Sequence, residues 1–278
     1  IGTEVRERVQ AHPKIQAIGG DKADLFLLPE LLSPRQCRKL IAIIDSRIQP
    51  SVLFSETVAP KGRTSSTHFF SQDLPETRAL ATKISEITGI GSHHAEPLQG
   101  QRYRVGEEYR HHRDHFRIDK PHWQVERRRG GQRTWTAMVY LNAVEEGGET
   151  DFSELDLKIV PEPGLLVLWD NMDRQGMPNP ATRHAALPVL AGRKHVVTQW
   201  YRQGEWSMQQ RGRHCRWASS DPALDAESAT AENGNCSHTE KSHHRRCRNI
   251  GTARCSTGRT RTGRGAGRRA ARRRRTGR

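Results

Sequence analysis

Apolar residues along this chain change their spacing once, and the change restricts the folds open to it. Up to Thr88 they recur at helical intervals, and from Gln101 onward they alternate as in strands. Ser33-Pro34 reads as an N-cap and a first helical residue, followed by Cys37, Leu40, Ile41, Ile44 and Ile48 on one face. Pro75–Thr88 repeats the pattern with Leu80, Ala81, Ile84 and Ile87, and Gly89 and Gly91 stop it. Strand-like runs then occupy 101–105, 134–142, 155–160, 164–169 and 194–202, divided by turn signals at 146–149, 161–164 and 177–180. Within 134–142, Trp135, Ala137, Val139 and Leu141 alternate with Thr136, Met138 and Tyr140. Helices first and strands after, with no β-α alternation, predict an α+β fold in which the early helices support a mostly antiparallel sheet or sandwich. A parallel doubly wound sheet is disfavoured.

The periodicity stops near residue 205, and composition changes there too. Of the 46 Lys+Arg and 31 Asp+Glu in the chain, residues 206–278 hold 18 and 5, which leaves 28 and 26 for 1–205. The formal charge of +15 therefore belongs almost wholly to the last quarter, and nucleic acid is an expected partner of that tail only, not of the body. Beyond Trp206 the only aromatic residue is Trp217, and runs such as Arg272-Arg273-Arg274-Arg275 bury too little apolar surface to offset chain entropy. The expected organisation is a polar lead-in over 1–23, one folded domain over 24–205 and a disordered Arg-rich tail over 206–278. Three readings of the tail stay open: a nucleic-acid arm, a polybasic segment for a membrane surface, or out-of-frame translation of GC-rich DNA with no selected function. Cys215, Cys236, Cys247 and Cys255 lie in the tail without C-x2-C spacing, and Cys37 alone lies in the body, which points to a reduced, cytoplasmic protein. Apolar runs such as 165–169 are far shorter than the roughly 20 residues of a membrane span, so no span is expected.

His112-Arg113-Asp114 is the first chemical signal. Two histidines and one carboxylate suit Fe(II), because they bind it on one face and leave three positions open. In an extended strand, residues two apart point the same way, so His112 and Asp114 can reach one ion. The third ligand must come from a distant strand, and His184, shortly before the strand that holds Lys194, is placed to supply it if the sheet closes on itself. Alone the tripeptide is weak: among 14 histidines, chance His-x-Asp matches and plain surface histidines are expected. It also spells the catalytic-loop tripeptide of protein kinases, but Asp119 stands where that loop needs Asn, and no Gly-rich phosphate loop precedes it.

The surrounding residues carry more. Tyr103-Arg104-Val105-Gly106-Glu107-Glu108-Tyr109, running into His112-Arg113-Asp114, is similar to the Tyr-x-x-Gly-x-x-Tyr-x-x-His-x-Asp stretch of the prolyl 4-hydroxylase-like family of Fe(II)/2-oxoglutarate oxygenases. Tyr140-Leu141-Asn142 with Glu145-Glu146-Gly147-Gly148-Glu149-Thr150 resembles the family's central hairpin, and Gly192-Arg193-Lys194 through Thr198 to Trp200 resembles its Gly-x-Lys-x-x-x-Thr-x-Trp ending. Gly62-Arg63-Thr64-Ser65-Ser66 also has a counterpart, and the likeness covers roughly 24–202 in the right order.

The resemblance implies a double-stranded β-helix core, jelly-roll and cupin-like, at about 98–202. It implies Fe(II) on His112, Asp114 and His184, with 2-oxoglutarate as co-substrate anchored by Lys194. Tyr103 and Thr198 become hydroxyl donors to that co-substrate, though each is equally readable as a core or sheet-face residue, and Trp200 reads as packing. Ascorbate is the implied reductant and O2 the second co-substrate. The activity implied is hydroxylation of a C–H bond, with release of succinate and CO2. The substrate would be a protein or peptide, such as a peptidyl proline, or a small molecule. Residues 117–131, with His122, Trp123 and Arg127-Arg128-Arg129, form a basic loop able to grip an acidic peptide or a phosphorylated small molecule, or one that is merely solvated. The competing readings are a catalytically silent binding module on the same fold and a polyanion-binding protein working through its tail.

Overall fold

Ser33 caps the helix that the sequence predicts after it. In this computed structural model, which describes residues 2–51 and 62–206, helix α2 spans Pro34–Ser46. The Ser33 side chain accepts from the Gln36 N–H while the Gln36 side chain returns to the Ser33 N–H, a reciprocal capping box with Pro34 in the first turn. Cys37, Leu40 and Ile44 are buried, whereas Ile48 lies past the end of the helix. Helix α3, Pro75–Thr88, ends at Gly89, whose φ of 72° is the left-handed cap that a residue without a Cβ adopts freely. Helix α1, Gly2–Gln10, was not legible. It lies in the polar lead-in, its Val5 and Val9 are buried, and its Arg6 Nε donates to Asp24 Oδ2 at 2.5 Å. Two apolar residues four apart in a charged segment are too few to register as a periodic face, but they suffice to dock one turn-length stripe.

The strands follow in chain order: β1 Gln16–Ala17, β2 Leu25–Leu28, β3 Gln49–Pro50, β4 Ser66–Phe69, β5 Gln99–Tyr103, β6 Tyr109–His112, β7 Arg133–Tyr140, β8 Glu146–Gly147, β9 Thr150–Phe152, β10 Leu157–Ile159, β11 Leu166–Asp170, β12 His184–Ala186, β13 Val189–Ala191 and β14 Lys194–Arg202. A short helix α4, Trp123–Arg128, separates β6 from β7, so the basic segment 117–131 is partly helical rather than a loop throughout. The larger sheet has the order β1-β2-β11-β7-β14-β5-β4-β3, and the smaller β10-β9-β12-β6. Every pairing within them is antiparallel. The two sheets share one core, in which Met138, Tyr140 and Trp169 of the larger meet Phe152 and Ile159 of the smaller. This is the expected jelly roll.

The alternation along β7 sorts its side chains between two interiors. Trp135, Ala137, Val139 and Leu141 pack with Leu40, Ile44, Leu80 and Ile84 of the helices, while Met138 and Tyr140 enter the space between the sheets. Strands β7, β11 and β14 are therefore covered on both faces, and polar residues on them must find partners inside. Two such partnerships matter below: Thr136 and Lys194. Trp206, assigned to the tail from composition, donates its N–H to His93 O at 2.7 Å and lies under the Arg202 guanidinium. The expected disorder of the rest of the tail lies outside the described residues. Among the described residues no helix is long and apolar enough to cross a membrane.

Candidate active site

Antiparallel pairing of β6 with β12 sets His184 directly opposite His112. Asp114 does not share a strand with His112, as the extended-strand argument expected. Strand β6 ends at His112, and Asp114 lies two residues into the following turn. The side chains still converge: Asp114 Oδ1 is 3.6 Å from His112 Nε2 and 4.0 Å from His184 Nε2. The three ligand atoms all lie within 4.8 Å of one another. A single first-row ion at about 2 Å from each atom bridges such separations.

Each histidine is oriented from behind. His112 Nδ1 bonds to Arg110 O at 2.8 Å and His184 Nδ1 to Thr182 O at 2.9 Å. A ring nitrogen that donates to a carbonyl must carry the proton, which leaves Nε2 as the free lone pair on both rings. Tyr109 stacks on His112 with ring centroids 3.6 Å apart, and Phe152 and Trp169 flank His184. Burial, with the neighbouring His112 charge adding to it, pushes His184 down to about 4, so the imidazole is neutral, the form that ligates metals. Burial alone would raise the Asp114 carboxyl. The charges that His184 and His112 carry when protonated, together with Arg133, outweigh it and hold the group ionised far below its ordinary range.

These residues wall a cavity between the sheets, together with Arg63, Tyr103, Met138, Thr150, Thr198 and Trp200. Tyr103 and Thr198 are thus brought to the same cavity as the triad. The Tyr103 hydroxyl bonds to Ser65, and Thr198 Oγ1 donates to Gln101 Oε1 at 3.1 Å. Lys194 is not in the lining. It stands opposite Tyr103 in the β14–β5 register, is 1% exposed, and donates from Nζ to Gly148 O at 2.6 Å. Its ammonium lies 5.4 Å from the ring centroids of both Tyr103 and Tyr140. Among the described residues no carboxylate forms an ion pair with it, and burial depresses it to about 7, with the charge of Glu149 opposing. A buried amine held in this way is poised for an anion arriving from the Tyr103 side.

Several residues in or behind the cavity wall carried no readable chemical signal. Arg63 spans from Ser65 and Thr67 to the face of Tyr109, and only its place in a quoted motif hinted at a role. Thr136 and Trp169 read as ordinary strand residues and Asn171 lay past the predicted strand at 164–169; the clue was a polar Thr136 inside an otherwise apolar run. Arg133 lies over both Phe116 and Trp200 and forms a bidentate pair with buried Glu96 at 2.6 and 2.7 Å. Arg202 joins that pair through Glu96 and also reaches Glu126 of α4, so the basic segment is tied to β14 and not simply solvated. Arg127 and Arg128 remain exposed.

Residues 98–202 match the family model described as the 2OG-Fe(II) oxygenase superfamily. Over 201 residues the chain is 30% identical to "Probable prolyl 4-hydroxylase 10" of Arabidopsis thaliana, a match covering 64% of this chain and 68% of that protein. It is 36% identical over 128 residues to prolyl 4-hydroxylase subunit alpha-1 of Gallus gallus, which covers 46% of this chain and only 25% of that subunit. The crystal structure of the viral collagen prolyl hydroxylase of Paramecium Bursaria Chlorella virus-1, in its 2OG complex, superimposes with a TM-score of 0.52 at 30% identity, over 67% of this chain and 99% of the viral one.

Proposed function

Because the chain belongs to the 2OG-Fe(II) oxygenase superfamily, alongside its prolyl 4-hydroxylases, we propose that it hydroxylates a peptidyl proline, consuming O2 and 2-oxoglutarate and releasing succinate and CO2. The donor set supports Fe(II): two imidazoles and one carboxylate whose ligand atoms converge on one point, a set that would leave positions for a chelating co-substrate and O2. His112, Asp114 and His184 would hold the metal, which supplies the oxidising chemistry when bound.

The rest is the work of this chain's own residues. Lys194 would take the distal carboxylate of 2-oxoglutarate, exchanging the Gly148 carbonyl for a full charge, while Tyr103 and Thr198 donate hydroxyl protons beside it. Tyr140 hydrogen-bonds Thr150 behind them and keeps that wall rigid. Tyr109, Met138 and Trp169 keep the interior apolar, which excludes water from the reacting centre. On the substrate side, the Trp200 indole N–H is buried without a partner in the cavity wall, a donor suited to a backbone carbonyl of a bound peptide. Trp200 thus does more than pack. Ascorbate would serve as the external reductant.

The observation that carries this reading is the pairing of a two-histidine, one-carboxylate cluster with a buried lysine that has no ion-pair partner among the described residues. The test is succinate production by the full chain loaded anaerobically with Fe(II), then given O2, 2-oxoglutarate and ascorbate, with and without proline-containing peptides. Turnover stimulated by peptide and absent in Asp114→Ala supports the proposal. A folded protein that binds Fe(II) but makes no succinate would return the chain to the silent binding module.

A further inference from the structure

A one-way chain of hydrogen bonds runs through buried side chains to the carboxylate of the triad. Trp169 Nε1 donates to Asn171 Oδ1 at 3.0 Å, Asn171 Nδ2 donates to Thr136 Oγ1 at 2.9 Å, and Thr136 Oγ1 donates to Asp114 Oδ2 at 2.8 Å. Trp169 is 1% exposed, and Thr136 and Asn171 are completely buried. The direction is forced from the far end. An indole nitrogen can only donate, so the oxygen of the Asn171 amide must face it and the NH2 must face Thr136. The Thr136 hydroxyl then accepts there, and its single proton is left for Asp114. Reversal at any point would leave two donors or two acceptors in contact inside the fold, where such a mismatch is costly.

The backbone holds the relay in place. Trp169 and Thr136 are register partners on β11 and β7, so the indole and the hydroxyl start from the same rung of one ladder. Asn171, just past β11, donates its N–H to Thr134 O at 2.6 Å and accepts at its carbonyl from Asn179 at 2.9 Å. The same indole touches the third ligand: its ring meets His184 edge-on, with centroids 4.9 Å apart and planes at 68°.

We propose that Trp169, Asn171 and Thr136 are positioning residues that aim two members of the triad at once. Thr136 pins Oδ2 of Asp114, which turns Oδ1 toward His112 and His184, while the indole that sets the polarity of the relay also braces the His184 ring. The inference rests on the assignment of His112, Asp114 and His184 as metal ligands. Its consequence is that metal affinity and ligand geometry depend on a completely buried O–H that touches neither metal nor substrate.

The test is anaerobic Co(II) titration of the full chain, read as the dissociation constant and as the visible d–d spectrum, with melting temperature recorded in parallel. Thr136→Val keeps the shape and removes the proton. It should weaken Co(II) binding on the order of 10- to 100-fold and shift the d–d bands, as loss of a hydrogen bond to a ligand does. Thr136→Ser, which restores the O–H, should bind within a few-fold of wild type with the wild-type spectrum. Trp169→Phe, which keeps a ring on His184 but frees the Asn171 amide to turn, should shift the spectrum in the same direction and serves as the readout if Thr136→Val does not fold. Thr136→Val with lowered melting temperature but unchanged affinity and spectrum would overturn the relay and leave Thr136 a packing residue. Wild-type protein that takes up no Co(II) would overturn the ligand assignment, and the relay with it. Wild-type binding lost in Asp114→Ala but kept in Thr136→Val would remove the relay alone.

Discussion

Binding of 2-oxoglutarate should draw a proton onto Lys194. In the free protein burial holds the amine at about 7 instead of 10.5, a depression worth about 5 kcal/mol at 1.36 kcal/mol for each tenfold change in protonation. At pH 8 roughly nine in ten molecules then carry a neutral lysine, and at pH 6 roughly one in ten do. A carboxylate arriving within ion-pair distance reverses the balance, because the opposite charge favours the ammonium in the same low dielectric that opposed it. Calorimetric titration of the Mn(II)-loaded, oxygen-free protein with 2-oxoglutarate, repeated in buffers of different ionisation enthalpy, reads the proton count directly. The expected uptake is about 0.9 proton at pH 8 and about 0.1 at pH 6. Lys194→Arg should abolish the uptake, since a guanidinium is charged in both states. Heat independent of buffer at pH 8 in the wild type would refute the reasoning. The same depression predicts a stability trend for the ligand-free protein. The unfolded lysine holds its proton up to about 10.4 while the folded one loses it above about 7, so stability rises with pH across that window and Lys194→Met should melt higher than wild type at pH 6.

Glu96 is the counter-charge for the buried guanidinium of Arg202 and the partly buried one of Arg133, so Glu96→Gln should destabilise the fold by about 3–5 kcal/mol in urea unfolding; a loss under 1 kcal/mol would contradict the pairing. Burial alone would raise its carboxyl, but the two arginines hold it below the ordinary value, so this contribution is full above about pH 4.3 and is lost as pH falls through the folded value. At Gly100 an added Cβ would collide with the Ile44 side chain and stand 2.9 Å from Phe70 Cε2, so Gly100→Ala should cost roughly 1–3 kcal/mol. Ile44→Ala in the same chain should recover part of that loss, and strictly additive destabilisation in the double variant would show that the close approach is not the cause.

Helices α2 and α3 and five of the fourteen described strands, β5, β7, β10, β11 and β14, were legible because their signals are local. Ser33, Pro34 and Gln36 write the start of α2 within four residues, and Gly89 writes the end of α3, since caps and backbone preferences act over one turn. Helix α1 was missed because its stability comes from docking Val5 and Val9 and from the Arg6–Asp24 pair, neither of which has a periodic signature in a charged segment. The alternation along β7 was read correctly, but alternation cannot tell that both of its faces are interior.

For the site, the sequence alone determined which residue types are present in which order, and the resemblance attached to that order named His112, Asp114, His184 and Lys194. Only the tertiary structure decided that β12 pairs with β6, so that residues 72 positions apart in number, 112 and 184, become register partners. It also placed Lys194 behind Tyr103 and outside the cavity lining, and it connected Trp169, Asn171 and Thr136 to Asp114. The physical reason is range. Turn, cap and periodicity preferences are settled between near neighbours in the chain, whereas strand pairing, desolvation and buried hydrogen bonding depend on which distant residues share an interior, and that is set only when the sheets close.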